Sequence, residues 1–333
     1  MTGGKVTDFQ APEKPSRDEK PATSVVIVTG PTAGGKSGLA LELAERLGGW
    51  IINADSMQVY RDLRVLTARP DAAEETRVPH RLFGVLGAEE RCSVGRWLDM
   101  AVAEITTARA AGRLPILVGG TGMYLKALTE GLAPVPEVPA TVTAEATALY
   151  DRLGGGAFAE VLAEHDPGAA DALPPGDRQR LIRAYAVVQA TERTLADWQN
   201  DAPTGSALDA RFTTVLVLPP RDALYAACDA RFTAMLDAGA MDEVRALLAR
   251  ELDPSLPAMR AVGVRELGAV IRGEMPLDQA ADKARQATRN YAKRQLTWFR
   301  HQLTPDVTVA QGGAGAADEV STALKKYITV RNV

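Results

Sequence analysis

The stretch VIVTGPTAGGKSG, residues 26–38, constrains this chain more than any other. The apolar run at 25–28 predicts a buried parallel strand. The following GPTAGGKS at 30–37 matches the pattern G-x-x-x-x-G-K-[ST], and leucines at helical spacing continue up to Leu47. Because strand, glycine-rich loop and helix together form the context in which this pattern holds phosphates, the sequence predicts a phosphate-binding loop in a parallel α/β sheet.

Each part of this loop has an expected task. Its backbone N–H groups would surround the phosphates, and the helix N-terminus would add a favourable dipole. Lys36 would reach a terminal phosphate, and the Ser37 hydroxyl would be a ligand of Mg²⁺. The residues expected to bind the phosphates are Gly30, Pro31, Thr32, Ala33, Gly34, Gly35, Lys36 and Ser37.

Two further segments should face the same edge of the sheet, because ligands bind outside the carboxyl ends of strands in open α/β sheets. Asp55 follows a predicted strand at 50–52, and it could accept a proton from a nucleophile or cap a helix; the spacing favours neither. Thr121 lies in Gly119-Gly-Thr-Gly122 after a predicted strand at 114–118. It would offer a hydroxyl at this edge, although a tight turn without a ligand would also explain the glycines.

The strand at 114–118 ends in glycine and threonine, without an Asp or Glu. Nucleotide hydrolases usually carry an acid there to hold Mg²⁺ through water. The pattern therefore favours a phosphate site adapted to a reaction other than ATP hydrolysis.

Composition narrows the class of protein. The 333 residues are 46% hydrophobic and 24% charged, and they contain no run of 18 apolar residues, so no membrane span is expected. The two cysteines and three histidines are too scattered for a disulfide framework or a zinc site. The polar residues 1–22 lack a signal-peptide core and predict a disordered leader and a cytoplasmic protein. Since the net charge is −4, a nucleic-acid partner would need a local basic patch.

Residues 283–305 supply such a patch, with six Lys or Arg residues and no acid. The segment predicts a helix whose apolar stripe would dock on the body and leave the cations for phosphates; a solvated basic helix is the alternative. The stripe consists of Ala292, Leu296, Phe299 and Leu303. The cations expected to contact phosphates are Arg289, Lys293, Arg294 and Arg300, with Arg260 and Arg265 as a second group.

Eight stretches between residues 30 and 300 make the chain resemble the tRNA dimethylallyltransferases, enzymes that prenylate adenosine next to the anticodon. The stretches are GPTAGGKS, NADSMQVYRDL, PHRLFGV, LVGGTGMYLKAL, DRQRLIRA, RFTAMLDAGAMDEV, MRAVGVREL and ATRNYAKRQLTWFR. The first is shared with many nucleotide enzymes, whereas DSMQVY, GGTGMYLKAL and AKRQLTWFR are the most specific. The chain has no Cys/His pairs for the zinc finger of eukaryotic members, so it resembles the bacterial form.

The resemblance implies a P-loop NTPase-like parallel sheet flanked by helices, with an inserted all-helical domain. It also implies that the loop binds dimethylallyl diphosphate with Mg²⁺. The N6 amine of adenosine 37 would attack the allylic carbon, and diphosphate would leave. The bond broken is then C–O, which fits the missing strand-end acid. The expected partners are the anticodon stem-loop of tRNAs that read codons beginning with U and the prenyl donor, with no membrane, no obligate protein partner and a monomeric state.

The family's functional residues transfer position by position. Asp55 would be the general base, Arg231 would pair with the diphosphate, and Lys36 and Thr121 would complete the catalytic group. From the residues alone, a surface salt bridge with Asp237 would explain Arg231 equally well. The residues that match tRNA contacts of the family are Asp55, Ser56, Met57, Gln58, Thr121, Gln179, Arg180, Leu181, Ile182 and Arg183.

Three departures from the family pattern affect individual contacts and leave the reaction intact. Gly35 stands where the family usually has Ser, and Arg69 in LTARP stands for the lysine of GTAKP. Thr141-Val-Thr143 lies near the position of an arginine that contacts tRNA in some members.

The organisation follows from prolines and helical spacing. A break near 134–139 separates the first part of the core from a strand-free region. We expect a disordered leader at 1–22, an α/β core with C-terminal helices at 23–135 and 206–333, and a helical insertion that contacts tRNA at 136–205. Further strands are predicted at 212–220 and 307–309, and a last helix at 314–327.

Two other classes of function use the same features. A small-molecule or nucleoside kinase would place ATP in the loop and use Asp55 as base for a hydroxyl, and it should carry an arginine-rich lid. A nucleotide-dependent RNA-binding module without chemistry would not need Asp55.

Overall fold

The computed structural model describes residues 23–201 and 205–328, so the expected leader at 1–22 lies outside the described residues. Its strands are β1 (Thr23–Thr29), β2 (Gly49–Asn53), β3 (His80–Arg81), β4 (Leu114–Val118), β5 (Ala210–Val217) and β6 (Val307–Val309). The predicted strands at 25–28, 50–52, 114–118, 212–220 and 307–309 are therefore confirmed, with ends that shift by a few residues.

The six strands form one parallel sheet in the order β3-β2-β4-β1-β5-β6. β1 lies between β4 and β5, with Val26 opposite Ile116 on one side and Thr213 on the other. Because every strand runs the same way, all carboxyl ends meet at one edge. The loops after β1, β2 and β4 are thereby brought together, as the sequence predicts.

Helices cover both faces of this sheet, as a parallel sheet requires. They are α1 (Lys36–Leu47), α2 (Ala72–Arg77), α3 (Val94–Ala110), α4 (Gly122–Glu130), α5 (Ala140–Ala163), α6 (Pro167–Ala172), α7 (Arg178–Thr191), α8 (Leu195–Asn200), α9 (Arg221–Asp237), α10 (Ala240–Leu248), α11 (Val264–Ile271), α12 (Leu277–Gln302) and α13 (Ala314–Leu324), with a 3-10 turn at Ala258–Arg260. None of the helices described is both long and apolar enough to cross a membrane.

The side chains of β1 contribute to two separate parts of the core, because successive side chains of a strand point to opposite faces of the sheet. Val25 and Ile27 join the larger cluster, which α3, α4 and α9 to α11 complete. Val26 and Val28 join a smaller cluster with α1 and α13. All four side chains are essentially inaccessible, so the apolar run of the sequence is explained by burial on both faces.

Helices α5 to α8 stand between α4 and β5 in the chain, and α5 to α7 share a separate core that includes Phe158, Leu162, Leu181 and Ile182. No strand occurs in the described part of 136–201, so the region is all-helical as expected. Gly154 adopts φ 75° and ψ 167°, which interrupts the helical conformation of α5.

Candidate active site

The glycine-rich loop joins β1 to α1, and its backbone is shaped by residues before the first helical turn. Gly34 N donates to Pro31 O at 3.1 Å. Gly35, the residue that precedes α1, has φ 85° and ψ 15°, a left-handed conformation that favours glycine. The first N–H groups of α1 have no partner inside the helix, so the loop can offer them to an anion.

Lys36 lies half-buried at the start of α1. Its Nζ donates to Pro31 O at 2.7 Å. Burial lowers the pKa of Lys36 to about 8, with Asp55 acting to raise it and Arg231 to lower it. The positive charge of Lys36 is therefore incompletely balanced by the protein, and a bound anion would balance it.

Arg231 extends from α9 to the same loop, where its Nη2 donates to Thr32 Oγ1 at 2.6 Å. Burial lowers the pKa of Arg231. Among the described residues no salt bridge involves Arg231, so the alternative pairing with Asp237 is wrong. The guanidinium is instead held beside the phosphate-binding loop, where it adds a second cation.

Asp55 lies just beyond β2 and is fixed by its own neighbours. Asn53 Oδ1 accepts from Asp55 N at 2.8 Å, and Asp55 Oδ1 accepts from Met57 N at 2.9 Å. A turn follows, with no helix, so the helix-capping alternative is wrong. No described donor binds the second carboxylate oxygen, which remains available as a proton acceptor.

The loop after β4 packs against the loop after β2. Thr121 Oγ1 accepts from Ser56 N at 3.0 Å. A Cβ on Gly119 would lie 2.1 Å from the carbonyl oxygen of Ala54, so backbone contact alone requires glycine there. The tight-turn interpretation thus accounts for this glycine, while Thr121 ties the Asp55 loop to α4.

Gln295 of α12 joins the first and third loops across the site. Its Oε1 accepts from Thr32 N at 2.8 Å, and its Nε2 donates to Gly120 O at 2.9 Å. Only 6% of the residue is exposed. Gln295 was not predicted as a site residue, although a polar residue beside the apolar stripe of Ala292 and Leu296 was an available signal.

A cavity of about 280 Å³ opens between these loops, α9 and α12. Thr32, Arg231 and Asp55 line its polar end, and Lys36 lies next to them. Its apolar wall is formed by Met57, Leu66, Phe232, Met235, Ala261 and Val262. The arrangement suits a small apolar group attached to an anion, with a carboxylate nearby.

Tyr291 also lines this cavity, from α12, and was not singled out by the sequence. Burial raises the pKa of its hydroxyl, and the nearby charge of Asp55 raises it further. Tyr291 therefore stays neutral and can donate a hydrogen bond inside the site. Cys228, which is fully buried, packs with Leu224 and Ala292 as expected for a structural cysteine.

The cavity wall at 64–67 is held from α10 by Glu243, another residue that the sequence analysis missed. Its carboxylate accepts from the backbone N–H groups of Arg64, Val65 and Leu66 at 2.6, 2.7 and 2.9 Å. Gln58 Nε2 donates to Thr67 O at 2.8 Å. Both contacts position the part of the wall that contains Leu66.

Arg69, one of the departures from the family pattern, lies within the same segment. Its Nη1 donates to Tyr60 O and Arg61 O, each at 3.3 Å. Arg69 therefore binds the backbone of its own segment.

The basic helix is longer than predicted and only part of its charge is free. Arg289 forms an ion pair with Asp229 of α9, with Nη1 at 2.5 Å from Oδ1. Its charge is therefore already compensated by a carboxylate, and its expected contact with phosphates stays a prediction. Lys293, Arg294 and Arg300 are exposed and form no salt bridge with any described residue.

The predicted contacts on α7 divide in the same way. Leu181 and Ile182 are 0% and 6% exposed and their side chains belong to the core of the insertion, while their expected contact with tRNA stays a prediction. Gln179, Arg180 and Arg183 are exposed on the helix surface. Arg180 is paired with Asp177 at 3.6 Å.

The second group of cations is also divided. Arg260, in the 3-10 turn, is exposed and lines the cavity. Arg265, on α11, is exposed and does not line it. Of Arg260 and Arg265, Arg260 is therefore the one at the mouth of the cavity.

The sheet order, the loop after β1 and the helical insertion define a P-loop NTPase-like α/β protein. Residues 58–302 match the model of the family described as IPP transferase, and residues 23–84 match that of isopentenyl transferase. The chain belongs to this family, the tRNA dimethylallyltransferases, which are prenyltransferase enzymes; the resemblance noted in the sequence is confirmed.

Individual relatives agree with this assignment. A tRNA dimethylallyltransferase of Rhodospirillum centenum is 58% identical over 284 residues, covering 85% of this chain and 90% of the relative. That of Rhodospirillum rubrum is 55% identical over 287 residues, covering 86% and 88%.

Solved structures share the fold. A tRNA isopentenylpyrophosphate transferase of Bacillus halodurans is 30% identical, with a TM-score of 0.64 over 91% of this chain and 97% of that chain. A eukaryotic dimethylallyltransferase acting on tRNA is 22% identical, with a TM-score of 0.76 over 93% and 81%, and it supports the fold alone.

Proposed function

We propose that this protein transfers the dimethylallyl group of dimethylallyl diphosphate to N6 of adenosine 37, next to the anticodon, in tRNAs that read codons beginning with U. Family membership supports transfer of a dimethylallyl group to tRNA. The structural observation that supports dimethylallyl diphosphate as the donor is the cavity itself. It joins a cationic loop, an apolar wall and the Asp55 carboxylate within about 280 Å³.

The loop and its two cations would hold the leaving group. The N–H groups at the start of α1, with Lys36 and Arg231, would bind the diphosphate oxygens, and a guanidinium can do so with two hydrogen bonds at once. Arg231 is already oriented by Thr32 at 2.6 Å. These donors would stabilise the negative charge that grows on the diphosphate as the allylic C–O bond breaks.

Asp55 would accept the proton that the reaction releases. As the N6–C bond forms, the electron pair of the C–O bond departs with diphosphate, and one N–H proton must leave the amine. The free carboxylate oxygen of Asp55 can take this proton, since Met57 N binds only the other one. Thr121 would fix this loop through Ser56, and Tyr291 could donate a hydrogen bond to either substrate.

Mg²⁺ fits the residues present. Ser37 is exposed beside the loop, and a magnesium ion usually keeps several waters and binds one or two protein groups together with substrate phosphates. No cluster of three metal-ligating side chains occurs among the described residues, and such a site does not require one. The metal would neutralise charge on the diphosphate, with Ser37 as its protein ligand.

The tRNA would lie across the mouth of the cavity. The exposed cations Lys293, Arg294, Arg300 and Arg260 would bind its backbone, and the target base would leave its stack to reach Asp55. The helical insertion at 136–205 would hold the stem through Gln179 and Arg183. We further propose that the enzyme acts in the cytoplasm and needs no obligate protein partner.

The test uses labelled dimethylallyl diphosphate, Mg²⁺ and unmodified tRNA, followed by nuclease digestion and mass spectrometry of the nucleosides. The wild-type protein should add one prenyl group to adenosine. Asp55→Asn keeps the acceptor for Met57 N but cannot take a proton, so it should lose turnover while it still binds tRNA. Asp237→Asn, an exposed acid at the end of α9, is the matched control and should retain activity. Unmodified adenosine with the wild-type protein, together with ATP consumption, would establish a kinase instead.

A further inference from the structure

The back of the phosphate-binding loop is covered by a turn from the C-terminal part of the chain. Gly313 N donates to Gly35 O at 3.1 Å. A Cβ on Gly312 would lie 2.4 Å from Gly35 O, and a Cβ on Gly35 would lie 3.0 Å from Gly312 Cα. The two backbones therefore touch so closely that a side chain on Gly312 would force a shift, and one on Gly35 would be tightly crowded.

This contact and the first helical bond of α1, from Leu39 N to Gly35 O at 3.3 Å, together set the direction of a phosphate-binding donor. In a planar trans peptide the C=O and the N–H of the next residue point in opposite directions. Since the Gly35 carbonyl points to Gly313, the N–H of Lys36 points away from that turn, toward the open side of the loop. That N–H is the first of α1 and has no partner inside the helix.

The turn is itself held firmly on both sides. Before it, β6 pairs with β5, and Leu218 N donates to Val309 O at 2.8 Å. After it, α13 packs on α1 through buried Val320 and Leu324. An ion pair between Arg46 and Asp318 joins the same two helices.

We propose that the turn at 311–313 is a positioning element for the diphosphate-binding loop, acting through the Gly35 carbonyl on the Lys36 N–H. The inference rests on the proposed function, which makes that loop the diphosphate site. It also explains the departure at Gly35, because glycine there is what lets Gly312 approach. Gly35 and Gly312 form a matched pair, because a side chain on either one would push the two backbones apart.

Gly312→Ala tests the contact without backbone strain, because the φ of Gly312 is not in the left-handed region. Gly315→Ala is the matched control, since a Cβ there meets nothing within 4 Å. Calorimetry with inorganic diphosphate and Mg²⁺ measures the loop directly, whether or not prenyl transfer occurs. We expect Gly312→Ala to weaken diphosphate binding by about tenfold, the effect of losing one hydrogen bond to a charged group. The Kd for tRNA should stay within about twofold, and Gly315→Ala should match the wild-type protein on both counts.

Two outcomes would overturn the proposal. One is an unchanged diphosphate Kd in folded Gly312→Ala; the other is an equal loss of diphosphate and tRNA affinity, which would mean general damage. Hydrogen exchange of the wild-type protein gives an independent test that does not depend on the variant folding. Binding of diphosphate should slow exchange of the Gly313 N–H, and unchanged exchange would contradict the coupling.

Discussion

Gln295 joins the phosphate-binding loop to the loop after β4 by side-chain hydrogen bonds, and Gln295→Leu removes that link with little change in volume. The substitution deletes the bond from Thr32 N at 2.8 Å and the bond to Gly120 O at 2.9 Å. Leucine has no polar atom with which to replace either bond. Because α12 and the loops otherwise keep their contacts, the effect isolates these two hydrogen bonds.

The size of the stability loss in Gln295→Leu follows from the burial of the two bonded residues, Gly120 and Thr32. Gly120 is buried, so its carbonyl would lose its partner at the full cost of about 1–3 kcal/mol. Thr32 is half-buried at the cavity, where water can reach its N–H and reduce the cost. The expected loss in the free energy of unfolding is about 2–4 kcal/mol, which for a chain of 333 residues corresponds to about 3–6 °C in melting temperature.

The assay is thermal unfolding followed by circular dichroism, with and without inorganic diphosphate. Gln302→Leu, at the exposed end of the same helix, is the control and should melt like the wild-type protein. The stabilisation by diphosphate should also shrink in Gln295→Leu, because the Thr32 N–H is no longer anchored. A melting temperature within about 1 °C of the wild-type value would refute the reasoning.

Gln295→Glu refines the same test through its pH dependence. One carboxylate oxygen can still accept from Thr32 N, but the other would face the Gly120 carbonyl oxygen, and only the protonated acid can donate there. The folded-state pKa of Glu at 295 should therefore lie above its unfolded value of about 4.3. A raised pKa gives stability that is present at low pH and is lost as pH rises through the folded-state pKa. The variant should thus approach wild-type stability near pH ~4 and fall below it at neutral pH, whereas a constant difference would contradict this.

Three further predictions follow from other parts of the site. Because the pKa of Lys36 is lowered to about 8, diphosphate affinity should begin to fall as pH rises above that value. Lys36→Arg stays charged, so calorimetric titrations of this variant should show no such fall in diphosphate affinity. Identical pH profiles for the variant and the wild-type protein would contradict a role for Lys36. Lys293→Ala should reduce the slope of log affinity for tRNA against log salt concentration by about one. Arg289→Ala should reduce this slope less, because Asp229 already compensates the charge of Arg289. Equal slopes for the two variants would contradict this difference. Glu243→Ala leaves the N–H groups at 64–66 without their acceptor and should cost about 2–4 kcal/mol of stability in denaturant unfolding; an unchanged midpoint would mean that the loop is held by other contacts.

Local features of the site could be predicted because their causes lie within a few residues. The strand, glycine loop and helix at 25–47 depend on a short apolar run, on the φ of Gly35 and on helical spacing. Asp55 could be placed at the edge of the sheet because the end of a parallel strand faces the ligand side. Whether Asp55 capped a helix could not be decided, since that depends on the turn made by Asn53 and Met57.

The basic helix shows where such prediction stops. Its apolar stripe is confirmed for Ala292, Leu296 and Phe299, which are buried. The pairing of Arg289 with Asp229 was not predictable, because it depends on α9 lying next to α12. The same holds for Leu181 and Ile182, whose burial depends on how α5 packs against α7.

The sequence by itself determined the phosphate-binding loop, the parallel α/β class and, through its ordered motifs, the family. Each of these is encoded in spacing along the chain. Tertiary structure alone decided that Gln295 binds Thr32, that Arg231 binds Thr32 and not Asp237, and that Gly313 contacts Gly35. Gln295 and Thr32 are 263 positions apart in the chain, and Arg231 and Thr32 are 199 positions apart. They meet because the order of strands places β1, which leads into the loop of Thr32, inside the sheet between β4 and β5. Periodicity reports which face of an element is buried, whereas the packing of distant elements decides which neighbour covers it.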